Sequence, residues 1–170
     1  KRLRLLGQGP YVGVSWKSAD MSLDRLPNYA PLADWSPIFT IPGVTFINLQ
    51  YTDFLDDLTE IKKEFGVTVH SFDDLDHYND LEDVAALCAA LDIVVSTKIT
   101  VPLISAGVGT VTKLANWRQS SWNNILLNPA GPLVDIFEKD TLEPWHEVFS
   151  AIAEDIMKFS IKHNSKSGSS

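Results

Sequence analysis

The chain carries one cysteine, Cys88. An intrachain disulfide framework is therefore excluded, as is a zinc site built on cysteines. Cys88 falls inside an apolar helical pattern and reads as a small core residue. Long hydrophobic runs are also missing. No stretch approaches the ~18 apolar residues of a membrane span, so no transmembrane segment is expected. The opening KRLRLLGQGP lacks the apolar centre and small-residue cleavage site of a signal peptide, and reads as the start of a piece cut from a longer protein. Together with the cysteine usage, this leads us to expect a cytoplasmic protein. Positive charge is scarce: 14 Lys and Arg stand against 22 Asp and Glu, for a net charge of −8. Such a field repels a phosphate backbone, so nucleic acid is not expected as a partner, although a local basic pocket for a small anion stays open.

Several chemical signatures are absent as well. There is no G-x-G-x-x-G and no P-loop lysine motif, which removes the dinucleotide and nucleoside-triphosphate fingerprints. The histidines at 70, 77, 146 and 163 form no H-x-x-x-H pair. No serine–histidine or cysteine–histidine arrangement suggests a nucleophile. The carboxylate run at 73–76 beside His77 reads as a solvated loop rather than a metal site, so neither metal nor cofactor is expected.

What is present is apolar periodicity. Hydrophobic residues make up 45% of the 170, enough for one sizeable core. β-branched and aromatic runs at 11–16, 44–49, 67–72 and 93–96 read as strands, followed by alternating runs at 110–115 and 132–139. Helical spacing is expected at 31–39, 54–65 (closed by Gly66), 80–91, 100–107 and 140–163. On the third of these, Leu81, Val84, Ala85, Cys88 and Leu91 mark a buried face. Asp140 with Glu143 resembles a capping box for the last helix, whose apolar face is Trp145, Val148, Phe149, Ile152, Ile156 and Phe159. Strands alternating with helices imply an α/β fold. We expect a Rossmann-like, doubly wound, mainly parallel six-stranded sheet with helices on both faces. The expected organisation is an interdomain remnant over 1–9, one domain over 10–163 and a disordered tail over 164–170.

Ligands of such sheets bind at the carboxyl ends of the strands. After the first strand come Ser15, Lys17 and Ser18, two hydroxyls and a point charge suited to phosphate; a plain solvated loop is the competing reading. After the second come Gln50, a hydrogen-bonding group, and Tyr51, a stacking surface, with ordinary packing as the alternative. After the third, Asp74 has the chemistry to hold ribose hydroxyls. After the fourth, Lys98, the amides around Ile99 and the Thr100 hydroxyl converge on a helix start carrying Pro102, an anion-binding arrangement or else a capped helix with a solvated lysine.

Taken in order, these pieces resemble the C-terminal, donor-binding half of GT-B glycosyltransferases. The resemblance is to the heptosyltransferase-like family 9 enzymes and the bacterial proteins that fuse such a module to tetratricopeptide repeats. VGVSWKS is similar to that group's opening strand and phosphate loop. PGV through INLQY is similar to its "pg-V-x-F-x-x-L-Q" strand. NDLEDVAALCAALDIVVS is similar to its "D-L-x-D-x-A-A-L-x-x-x-L-D-L-V-I-S" helix and strand, and ISAGVG to its "H-L-A-G-A-L-G" helix. Trp117, Trp122 and Trp145 also sit where the group places tryptophans. The resemblance implies transfer of a sugar from a nucleotide-diphosphate donor to an acceptor hydroxyl on a glycan or protein. The nucleotide-sugar is then a substrate, and the catalytic base comes from an N-terminal half outside this chain. One departure stands out. Where the family reads "S-x-D-T-x-x-x-H", its aspartate falls on Lys98 and its histidine on Leu103. That substitution leaves a second reading, a degenerate, non-catalytic binding or scaffold module attached to tetratricopeptide repeats.

Overall fold

A computed structural model of the chain describes residues 1–23, 25–118 and 133–167, the last eight of these in backbone only. Six parallel strands form one sheet in the order β3-β2-β1-β4-β5-β6. They are β1 Tyr11–Ser15, β2 Thr45–Asn48, β3 Val69–His70, β4 Ile93–Thr97, β5 Val111–Trp117 and β6 Val134–Lys139. The helices are α1 Ser36–Phe39, preceded by a 3-10 turn over Leu32–Trp35, then α2 Leu55–Phe65, α3 Leu81–Ala89, α4 Val101–Gly107 and α5 Trp145–Ser167. The α/β, doubly wound fold expected from the sequence is the fold observed.

The alternation of side chains along each strand sorts the core into two layers. Val12, Val14, Phe46, Ile93 and Val95 face α1, α2 and α5. Ile47, Val94 and Leu49 face α3, α4 and the buried Leu3. With both faces covered, β4 is buried along its whole length, so it reads as a continuous apolar run. The first layer is the more aromatic. Trp35 and Phe149 lie 4.3 Å apart between ring centroids, and Phe39 stacks near Phe65 at 5.5 Å. Gly13 marks the tightest point of the second layer. A Cβ there would stand 2.5 Å from Leu49 Cδ1 and 2.6 Å from Leu91 Cδ1.

Local signals behave as their chemistry requires. Asp80 caps α3 by accepting from the Asp83 amide at 3.0 Å. Gly66 ends α2 at φ 71°, where its amide reaches the Lys62 carbonyl. Cys88 is fully buried, and burial pushes its thiol up to about 12, so it is inert packing.

Some expectations need correction. Leu81, expected on the buried face of α3, is 54% exposed, because it is the first residue of its helix; Leu55, the first residue of α2, is likewise 68% exposed although it keeps the helical period. Thr100 precedes α4 yet makes no side-chain capping bond. Asp140 does not cap α5, which starts five residues later. Glu143 does accept from the Asp140 amide at 2.7 Å, but this closes a turn, and the Asp140 carboxylate binds Arg118 at 2.8 Å. The apolar face expected on α5 is buried from Trp145 to Ile156. α5 itself runs to Ser167, past the boundary expected at 163. At the other end, Leu3 is buried, Leu6 partly buried and Leu5 is 85% exposed. Trp122 lies outside the described residues, as does the His163 side chain.

Gly13→Ala should lower stability by about 1–3 kcal/mol, because both leucines it would strike are themselves enclosed. A shifted denaturant midpoint with an unchanged slope would show it; an unchanged midpoint would mean that the layer yields without cost.

Candidate functional site

In this strand order β1 and β4 are neighbours, while β2 and β3 extend to one side and β5 and β6 to the other. The chain therefore reverses direction between β1 and β4, and a crevice is expected above their carboxyl ends. Ser15 and Ser96 stand opposite each other in that register.

On the β1 side, the predicted residues Ser15, Lys17, Ser18, Gln50 and Tyr51 are brought together. Gln50 is fully buried at the centre. Its Oε1 accepts from the Ser15 hydroxyl at 3.2 Å, the Trp16 amide at 2.9 Å and the Lys17 amide at 3.1 Å. Its Nε2 donates to the Lys17 carbonyl and the Thr52 hydroxyl, both at 2.7 Å. Asn48 Oδ1 in turn accepts from the Gln50 amide at 3.0 Å. Tyr51 shares a 2.9 Å hydrogen bond with Ser18 and accepts from the Ala19 amide. Lys17 forms an ion pair with Asp57 in the first turn of α2, and the Trp16 indole also donates to Asp57 at 2.8 Å. The cluster is thus a self-satisfied knot. Gln50 and Tyr51 hold the loop after β1 through their side chains.

On the β4 side, Lys98 is half-buried. Burial lowers its pKa to about 8, opposed by the Glu138 carboxylate and assisted by the Arg25 guanidinium. Lys17 and Lys98 therefore keep different company, one with Asp57, the other with Glu138 and Arg25. The Ile99 amide is already donated to the Thr97 carbonyl at 2.9 Å, and Pro102 has none, so the start of α4 offers at most the amides of Thr100 and Val101. The Thr97 hydroxyl is fully buried with no hydrogen-bond partner among the described residues.

Asp74 lies apart from both groups. It forms a two-pronged pair with Arg2 at 2.6 and 2.9 Å, and that bonding holds its carboxyl below the ordinary carboxylate range. Arg2 also covers the Phe72 ring at 4.3 Å. Sequence reading missed Asp57, Arg25, Glu138 and Thr97. Asp57 was recoverable as an acidic residue in a helix's first turn, whereas Arg25 sits in an unpatterned polar stretch. Among the described residues, no cluster of three or more His, Cys, Asp or Glu could hold a metal ion, and no helix is long and apolar enough to cross a membrane.

Gln50→Leu should cost about 1–3 kcal/mol, because it leaves buried donors of the β1 loop without an acceptor. Amide exchange should quicken selectively at 16–18. Uniform quickening across the sheet would show that Gln50 supports the whole core instead.

No family model matches the chain. Protein FlbA of Caulobacter vibrioides is 33% identical over 160 residues, covering 93% of this chain but 27% of FlbA. The chain thus spans about a quarter of that relative's length. Among solved structures, E. coli ADP-heptose LPS heptosyltransferase II superposes with a TM-score of 0.64 at 14% identity, over 91% of this chain and 47% of that one. E. coli heptosyltransferase WaaC, solved with ADP-2-deoxy-2-fluoro heptose, superposes with a TM-score of 0.57 at 14% identity, over 92% and 44%. At that identity the likeness establishes the fold: this chain has the architecture of one half of each of those molecules.

Proposed function

We propose that the chain is the donor-binding half of a bacterial glycosyltransferase, working in the cytoplasm and taking a nucleoside-diphosphate sugar as substrate. The observation that supports it most is the partly desolvated Lys98 at the β1/β4 crevice of a fold shared with proteins solved as ADP-heptose enzymes. A half-dry cation strengthens any attraction to a diphosphate. Lys98 and the amides of Thr100 and Val101 would hold the leaving diphosphate, an electrostatic role. The Gln50 knot would fix the β1 loop as the rim of the crevice, with Ser15 and Ser18 as its hydroxyls. The acceptor, a glycan or protein hydroxyl, and the base that deprotonates it belong to a preceding domain. The chain alone would bind donor without turnover.

A second reading has its own support. The Lys17 ammonium is committed to Asp57, and the Gln50 amide is saturated by the protein itself. Two of the expected donor contacts are thereby consumed. A degenerate binding module attached to tetratricopeptide repeats would need neither.

Calorimetric titration with ADP-, UDP-, GDP- and CMP-sugars separates the two. The first reading expects one of them to saturate the chain; silence from all four favours the degenerate module. Where binding occurs, Lys98→Met should weaken it by roughly 5–20-fold, the worth of one partly exposed charge-assisted bond. The pH dependence follows from the lowered pKa. The ligand selects the protonated amine, so affinity should be full below about 8 and fall as pH rises through that value. The Lys98→Met profile should be flat over the same range. An unchanged slope in the variant would remove Lys98 from the site.

A further inference from the structure

A second surface lies on the opposite side of the sheet from β6, at the free edge of β3. β3 pairs with β2 on its inner side through Val69 and His70. Its outer side pairs with no strand among the described residues. Five consecutive residues, 68–72, line a groove of about 620 Å³ there, which places the strand edge-on as the floor. Phe54, just before α2, with Leu55 and Leu58 of that helix forms one wall, and the loop from Asp73 to Tyr78 forms the other. The rim is apolar and open: Leu55 is 68% exposed and Tyr78 64%. A sheet edge bearing unpaired peptide groups between apolar walls is the geometry of strand addition.

Two further features point to what the groove takes. His77 is 8% exposed, yet neither ring nitrogen has a hydrogen-bond partner among the described residues. Its ring meets Phe54 edge-on at 6.2 Å and forms part of the groove's lining. Burial lowers the His77 pKa, with Asp76 opposing, which favours a neutral ring. The charge beside it is negative. Asp73 and Asp76 both line the groove, and Asp76 is held below the ordinary carboxylate range by the Asn79 side chain and by the Asn79 and Tyr78 amides. Two cations stand near the groove: Arg2, held by Asp74 with its guanidinium over the Phe72 ring, and Lys62, at the other end and bonded to the Thr68 hydroxyl at 2.9 Å.

We propose that this edge docks an extended segment of another protein, apolar at alternate positions and bearing lysine or arginine opposite Asp73 and Asp76. The backbone of 68–71 provides the ladder. Leu55, Phe54 and Tyr78 receive the apolar side chains. The surface adjoins the β1 loop, because Tyr51 also lines it, but the proposal does not depend on the function proposed for the β1/β4 edge.

The test uses a fluorescent, terminally blocked heptapeptide alternating lysine with valine, and the same peptide N-methylated at every second amide. Methylation keeps charge and side chains but removes strand-forming N–H groups. The first peptide should saturate the chain, the methylated one should bind roughly tenfold more weakly, and exchange should slow at the amides of 68–71. Leu55→Lys should weaken binding about fivefold while leaving the fold intact, since Leu55 is on the surface. Equal binding of the two peptides would reduce the effect to attraction by an acidic surface and overturn the assignment. Binding without protection at 68–71 would overturn it too. A Leu55-sensitive, concentration-dependent dimer with no peptide preference would give the edge to a second copy of the chain, and the peptide proposal would fail.

Discussion

The carboxamide of Gln50 ties the loop after β1 to β2, and the layout of the carboxyl edge depends on that tie. One buried side chain satisfies two amides, one carbonyl and two hydroxyls. In a low-dielectric interior each of these bonds strengthens its neighbours, and each would be costly to leave unmade. The β1 loop has therefore no independent position; it sits where β2 puts it. Among the described residues the opposite lip, after β4, shows no comparable knot of side-chain bonds. The crevice between them has a rigid side sealed by its own hydrogen bonds and an electrostatically active side marked by Lys98.

The cations of this acidic chain are distributed in keeping with that asymmetry. Lys17 is neutralised by Asp57 where the lip is rigid. Lys113 of β5, 7% exposed, lies between Asp135 of β6 and Asp155 of α5. Burial pulls its pKa down, but the two carboxylates outweigh burial and hold it above the ordinary value. That ammonium pins the outer strand and the last helix to the sheet. Lys98 is the contrasting case, where burial prevails over Glu138.

The sheet was legible because period-2 and period-3.6 patterns are imposed by burial on two faces. Val12, Gly13 and Val14 alternate between layers that really exist, and Ile93 to Thr97 reads as a block because neither face meets water. Patterns fail at ends, where a residue keeps the period but has nothing to pack on, as Leu55 and Leu81 show. Site residues were legible as a group and not as roles. Ser15, Lys17, Ser18, Gln50 and Tyr51 do converge, since the sheet places all of them at one edge. Whether a polar group faces a ligand or its own backbone depends on partners far away in sequence. Asp57 decides it for Lys17, the β1 loop for Gln50 and Arg2 for Asp74. The missed cap at Asp140 has the same cause, since Arg118 holds its carboxylate.

The position of α5 has a bearing on how the chain comes off the ribosome. Its aromatic face, Trp145 and Phe149, fills the layer begun by Trp35, Ile38 and Phe39, more than a hundred residues earlier. Until those last turns have been synthesised and cleared the exit tunnel, Trp35 lacks the Phe149 ring it packs against. Until then the nascent sheet presents part of that apolar face uncovered, the kind of surface that chaperones take. Translation speed through α5 then sets how long that face stays exposed, and the domain closes late, from its carboxyl end back onto its beginning.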